Sequence, residues 1–288
     1  MAGVLSSLRY LLADFIGDDD DEPPFLPDGL PDAVAPVVSD AIHMLIDYQG
    51  NAYATLYVTR LRRFVGRRDV NDAMLGEIAR LMAMRMSYQD PIQVAQLKLA
   101  ELEAGGAPSH DVRRFRFDEL IGALPAVVAE PVLDTFEWLG WEVRRRVPIR
   151  FSTRSRFGIR RLKIEAGLRR WRLFSVRYAK ERVWVERWLH MIDRSLTKQQ
   201  ATAEIVQTAT MVQGYGDAYR QGLADWHAII DGLAKPTFDG ALVLPDLAGA
   251  VAAARAAATP DPRQVALKRT IAEIRARALN TGTNAAAG

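Results

Sequence analysis

The stretch from Arg144 to Leu196 constrains this chain more than any other, because it makes two demands at once. From Ile164 onward, apolar residues recur at Ile164, Leu168, Trp171, Tyr178, Val185, Leu189, Ile192 and Leu196. Steps of three and four predict the seam of one long amphipathic helix. Ser175 and Arg182 place polar side chains in that seam, and a second row of Trp184, Trp188 and Met191 widens the face to be buried. The opposite face is cationic. Between Arg144 and Arg187 stand sixteen Arg and Lys against Glu165, Glu181 and Glu186, a local balance of +13. So much aromatic surface requires other helices to pack on, and so basic a face requires water, an anion or an acidic partner.

With 288 residues, 49% apolar and 25% charged, the chain is able to bury a real core in one large or two small domains. Its net charge of +3 hides an asymmetry: residues 1–48 carry ten acids against Arg9 alone. The acidic start and the basic middle attract each other, within a chain or between copies. The absence of cysteine excludes disulfides, thiolate metal sites, cysteine nucleophiles and cysteine-held iron–sulfur clusters here. It fits a reducing cytoplasm. No apolar run approaches the roughly 20 residues of a membrane span. The start lacks a basic leader and a small-residue cleavage site, so no secretory signal is expected and the expected localisation is cytoplasmic.

Taken in order, residues 1–16 read as an amphipathic docking helix and residues 17–31 as an acidic, Pro-rich linker that tethers it. Its polar face lacks the basic residues a membrane surface favours. A helical domain is expected over 32–280 and a disordered tail over 281–288. Within the domain, a helix from Asp32 to Val65 takes Pro36 in its first turn and is weakened at Gly50, around which Tyr48, Tyr53 and Tyr57 cluster. Further helices are expected from Val70 to Ser87 and from Asp90-Pro91 to Ala104, the last ended by Gly105-Gly106. His110 to Pro125 reads as a short helix or loop, and Pro131 opens another helix. The period then changes to two in Trp141, Val143, Val147, Ile149 and Phe151, and Pro148 makes that strand an edge or an isolated ribbon. Helices follow from Thr197 to Met211, from Ala218, through the Ala-rich stretch after Asp246, and up to Leu279. The expected fold class is mainly α, a helical bundle-like body with a small β-ribbon and the N-terminal docking helix on its tether.

Patterns that carry chemistry are few. Gly214-Tyr215-Gly216-Asp217 follows a helix, not a strand, and lacks the third glycine and trailing Lys-Ser/Thr of phosphate loops. A plain helix–helix turn with Asp217 as the next N-cap explains it better. His43, His110, His190 and His227 show no metal-ligand spacing, and Glu101 and Glu103, two apart, point away from each other on a helix. On its own residues the chain does not look like an enzyme. The basic stretch has three readings. It is a solvated, salt-bridged face, a nucleic-acid site, or a docking surface for an acidic protein. Trp171, Trp184 and Trp188 sit at core spacing and not on the charged face, which disfavours nucleic acid. For the third reading the anchors are Arg144, Arg145, Arg146, Arg154, Arg156, Arg160 and Arg161, which would meet an acidic surface or else grip an anionic substrate or the phosphates of coenzyme A.

Three stretches in this order carry a family likeness: Leu45-Ile46-Asp47-Tyr48-Gln49 with Ala52-Tyr53-Ala54 and Tyr57; Arg160-Arg161-Leu162-Lys163 leading into the basic helix; and Gly214-Tyr215-Gly216-Asp217 with Arg220 and Gly222. From Pro31 to Leu233 the chain resembles the C-terminal helical region, a domain of unknown function, of the large beta-type subunit of indolepyruvate:ferredoxin oxidoreductases. The resemblance implies a system that oxidatively decarboxylates an aryl 2-oxoacid to an acyl-CoA with thiamine diphosphate and iron–sulfur clusters, and passes electrons to ferredoxin. These 288 residues contain no Rossmann-like oxidoreductase domain, no cluster cysteines and no thiamine-diphosphate signature. The resemblance therefore implies a non-catalytic docking subunit whose partner chains carry the cofactors, with no catalytic, cofactor-binding or metal residue in this one. Homo-oligomerisation stays open. The alternative is a free-standing module that binds nucleic acid or anionic ligands through the Arg-rich stretch; a standalone 2-oxoacid enzyme lacks any nucleophile, metal or cofactor pattern.

Overall fold

The computed structural model describes residues 24–116, 120, 121, 131, 135 and 146–286, and the docking helix, most of the linker, Trp141, Val143 and the helix after Pro131 lie outside that range. The described chain is mainly helical with one two-stranded antiparallel sheet. It clusters into two units where the sequence reading draws a single domain. The first is Met1–Val65 with Ala83–Trp184, and the second is Gly66–Met82 with Val185–Gly288.

The first unit starts with α1 (Ala35–Tyr48), whose first turn holds Pro36, and α2 (Asn51–Leu61). The expected single helix is divided at Gly50, which sits at φ 130, a conformation closed to side-chain-bearing residues. Helix α3 (Asp72–Met86) runs through the unit boundary. α4 (Pro91–Glu103) is capped by Asp90, whose carboxylate accepts from the Gln93 amide at 2.7 Å. Strands β1 (His110–Arg116) and β2 (Arg146–Ser152) then pair, with Val112 opposite Arg150 and Arg114 opposite Pro148. β1 replaces the expected helix or loop. Its sequence, HDVRRFR, offers only Val112 and Phe115 as apolar residues, so the local pattern is silent and the partner strand decides. The expected strand does form a two-stranded ribbon at Pro148.

The predicted long basic helix is also two helices. α5 (Arg156–Gly167) ends in a 3₁₀ segment, Leu168–Phe174, before α6 (Val176–Ser195). Ser175, read as a polar seam residue, is the N-cap of α6, its hydroxyl accepting from the Tyr178 amide at 3.0 Å. The break has a cause in Arg172, which the 3₁₀ turn directs into the interior, where it is 1% exposed. Consequently Ile164 and Leu168 do not belong to the seam and face solvent, while Tyr178, Val185, Leu189, Ile192 and Leu196 are buried as expected, as are Trp184, Trp188 and Met191.

In the second unit, α6 continues into a short 3₁₀ turn and α7 (Gln199–Gln207), and a further 3₁₀ turn, Thr208–Met211, leads to α8 (Gly216–Ile229). A Cβ on Gly222 would stand 2.1 Å from the Met211 carbonyl oxygen, so only glycine lets α8 pass this close. Pro236 has no N–H for the Gly232 carbonyl. The helix widens to a π-turn over Ile230–Ala234 before α9 (Lys235–Phe238), and the Arg275 guanidinium donates to the Gly232 oxygen at 2.8 Å instead. α10 (Leu247–Ala257) is capped by Asp246, and α11 (Val265–Ala286) runs past Leu279 into the stretch expected to be a disordered tail. Trp188, Trp226, Ile230, Leu233 and Val251 are buried in this unit. None of the helices among the described residues is long and apolar enough to cross a membrane.

Candidate functional site

The cations of the basic stretch divide into two populations. One is used up inside the protein. In the first unit the Arg172 guanidinium donates to both carboxylate oxygens of Asp90 (2.6 and 3.0 Å), to the Tyr48 carbonyl (2.8 Å) and to the Gln49 side-chain oxygen (3.0 Å), and lies 3.9 Å over the Tyr48 ring. Arg85 (2.6 Å) and Arg177 (2.8 Å) both reach the buried Glu181. Around them, Tyr48 donates to the Tyr88 carbonyl (3.0 Å) and Tyr53 to the Met86 carbonyl (2.9 Å). Burial holds all three phenols, Tyr48, Tyr53 and Tyr88, above their ordinary range, so they stay neutral. Of the tyrosines that the spacing around Gly50 groups, Tyr48 and Tyr53 lie with ring centroids 6.1 Å apart, and Tyr88, which that spacing does not include, stands 5.9 Å from Tyr48. The knot is closed to solvent, and its chemistry is that of a packed ion.

The other population faces solvent. Arg150 on β2, Arg154 after it, and Arg156, Arg160 and Lys163 on α5 are exposed, and Arg114 on β1 is exposed as well. None of these six makes an ion pair among the described residues. The placement of Arg156, Arg160 and Lys163 follows from how α5 packs. Ser155 caps the helix, its hydroxyl accepting from the Gly158 amide at 3.0 Å, and Gly158 lies so near the end of β2 that a Cβ there would stand 2.3 Å from the Ser152 oxygen. Leu162 is buried on the side facing α4. At about 100° per residue, the outward side then carries Arg156, Arg160, Lys163 and Gly167 beside Phe157 and Ile164. Phe157 is 80% exposed and Ile164 62%, so two large apolar side chains sit within a cationic rim. Isolated exposed apolar residues are ordinary, but a pair on one helix face bordered by unpaired cations has the make-up of an interface.

The anchors named from sequence distribute accordingly. Arg154, Arg156 and Arg160 share this surface. Arg146 is exposed at the start of β2, in register with Arg116. Arg161 is drawn to the side by Glu165, which accepts from it at 2.7 Å. Arg144 and Arg145 lie outside the described residues. The sequence reading missed Phe157, and it placed Ile164 in the core. A helical wheel restricted to residues 156–167 would have put both among the cations, but the length of the apparent seam concealed where the helix stops.

Gly214-Tyr215-Gly216-Asp217 joins the 3₁₀ turn to α8, with Gly214 and Gly216 both at φ 71. Tyr215, not Asp217, occupies the cap position. Asp217 falls in the first turn, where it faces the positive end of the helix and pairs with Arg220 at 3.2 Å. Among the described residues there is no group of His, Asp and Glu arranged to hold a metal ion. In the second unit an apolar groove of about 490 Å³ is lined by Val243, Leu244, Ala250, Ala253 and Ile274, with Asp246 and Arg277 at its edge.

No curated protein and no solved structure matches this chain. A family model matches residues 34–232, spanning α1 to the π-turn, and on that match the chain belongs to DUF6537, a family of unknown function.

Proposed function

We propose that this chain is a non-catalytic docking subunit of a 2-oxoacid:ferredoxin oxidoreductase assembly of the indolepyruvate type, and that the outward face of α5 is where it meets an acidic surface of the assembly. Thiamine diphosphate and the iron–sulfur clusters belong to the partner chains, and the assembly is cytoplasmic. The observation that supports docking is the division of the arginines. Arg172, Arg177 and Arg85 are tied to internal carboxylates, whereas Arg154, Arg156, Arg160 and Lys163 surround Phe157 and Ile164 with no acid of their own. The kind of assembly rests on the likeness of the three stretches described above. Trp184 and Trp188 are buried, so Phe157 is the one aromatic ring described on this cationic face, whereas single-stranded nucleic acid stacks successive bases on several.

Purification of the tagged chain from its native source should recover chains that carry thiamine diphosphate and the visible absorption of iron–sulfur clusters. The variant Arg156→Glu, Arg160→Glu, Lys163→Glu should recover them at least about tenfold less, because like charges face the partner. Its unfolding midpoint should match the parent's, since none of the three is paired. A parent chain that elutes alone, or with nucleic acid in place of cofactor-bearing chains, would refute the assignment.

A further inference from the structure

We infer that, in the chain by itself, the outward face of α5 is occupied by the chain's own acidic N-terminal stretch, residues 4–22. The inference rests on the reading of that face as a surface for acidic partners and names its first occupant. The stretch supplies both kinds of group the face lacks. Leu8, Leu11, Leu12, Phe15 and Ile16 are apolar, and Asp14, Asp18, Asp19, Asp20, Asp21 and Glu22 place six acids within nine residues against the single cation Arg9. The face offers Phe157 and Ile164 for the first group and Arg156, Arg160 and Lys163, with Arg154 just before the helix, for the second. The apolar groove of the second unit pairs one acid, Asp246, with one cation, Arg277, and so has no excess charge to attract a polyacidic run.

The connection also favours the chain's own segment over a free peptide. Residues 24–65, which follow the stretch, belong to the same unit as α5. A short tether holds a ligand at an effective concentration in the millimolar range, so contacts too weak to hold a separate peptide suffice in one chain. Long-range attraction between an acidic run and exposed cations is screened by salt, which makes the contact reversible and open to displacement by a stronger acidic partner.

The chain has no cysteine, so one introduced thiol reports alone. Gly167 is the place for it. It lies on the outward face of α5 with φ −64, and a Cβ there meets nothing within 4 Å. The rate at which Gly167→Cys in the full chain reacts with a neutral maleimide should be low in dilute salt. It should rise about tenfold when Asp18, Asp19, Asp20 and Asp21 are all replaced by Asn, as expected on losing a tethered ligand. The same rise should appear in the parent at about 1 M salt, where charges are screened within a few ångströms. A fast rate in the parent that neither change alters would overturn the inference, and so would protection that appears only as the chain dimerises in light scattering, since the occupant would then be a second copy. Either result leaves recovery of cofactor-bearing chains as a separate measurement, so the occupant and the docking reading fail independently.

Discussion

The two units bury polar groups in opposite ways. The first buries ions: Arg60, Arg85, Asp90, Arg172 and Glu181 are all under a tenth exposed. The second buries mainly hydroxyls, Ser195, Thr202, Thr208 and Thr237, with Asp225 as its one buried carboxylate among the described residues. The partners differ in reach. Arg172 finds Asp90 across 82 residues and Arg85 finds Glu181 across 96. Ser195, Thr208 and Thr237 donate to carbonyls only three or four residues back, at 2.7, 2.6 and 2.7 Å. A buried ion must be met by a specific distant partner or remain desolvated at high cost, so it decides which elements meet. A hydroxyl bonded within its own turn decides only how that turn ends. The first unit is therefore specified by long-range polar pairs, and the second by apolar packing with local polar trim.

The strongest way to break that contrast is to remove Arg172. Arg172→Met keeps much of the side chain's volume but leaves Asp90 buried without its cation, and we expect a loss of about 3–5 kcal/mol. Urea unfolding followed at the tyrosines of the first unit measures it. Adding Asp90→Asn should restore part of the loss, because Asn still caps α4 through the Gln93 amide while carrying no charge. A single variant that loses under about 1 kcal/mol, the size of an ordinary hydrogen bond, would mean that the knot does not organise the unit.

How much of this was legible in the sequence follows from the same distinction. Local signals were readable: Pro36 in the first turn of α1, Asp90 before α4, the period-two run of β2, and the mainly helical class with its small ribbon. Gly50 was read as a weak point and is a break. Long-range decisions were not readable. The charge of Arg172 counted toward a solvent-facing surface, yet the side chain turns inward because Asp90, 82 residues away, awaits it. That reversal ends α5 early, and with it Ile164 moves from the supposed core to the surface. The surface itself was half legible. Arg154, Arg156 and Arg160 were named for their charge, but the apolar pair between them appears only once the helix boundary is known. β1 escaped notice for a like reason, since its strand character comes from its pairing with β2.

Thr208 offers the matching test in the second unit. Its hydroxyl donates to the Ile205 carbonyl and accepts from the Trp226 indole at 3.0 Å, while the Trp188 indole reaches the same carbonyl at 3.3 Å. Thr208→Val keeps the shape and removes the acceptor, leaving a buried indole N–H unmet. The expected loss is about 1–3 kcal/mol, below that of Arg172→Met. Tryptophan fluorescence during urea unfolding measures it, Trp188 and Trp226 being the two of the chain's six tryptophans that lie in the second unit. Equal losses from the two variants would erase the distinction between ion-specified and apolar-specified units.

The smallest expected effect comes from the only histidine of the second unit that is tied into an ionic cluster among the described residues. His227 meets Arg187 through Nδ1 at 2.9 Å, Asp231 stands 3.9 Å from that nitrogen, and Arg187 also pairs with Asp231. Burial lowers the affinity of His227 for a proton and the Arg187 cation lowers it further, against the opposing pull of Asp231. The folded chain thus binds fewer protons here than the unfolded chain does at pH values below the ordinary imidazole value of 6.5. Stability contributed by neutral His227 is complete above that value and is lost as the pH falls toward the lowered one. The side chain is 41% exposed, so solvent screens the effect and it should stay well under that of Thr208→Val. His227→Gln should flatten the slope of unfolding midpoint against pH between 6.5 and 5 in the second unit while leaving the first unit's profile unchanged. An unaltered slope would show that the cluster relaxes around the protonated ring, with Asp231 turning from Arg187 to the imidazolium, and that even the surface charges of this unit are less fixed than the buried ones of the other.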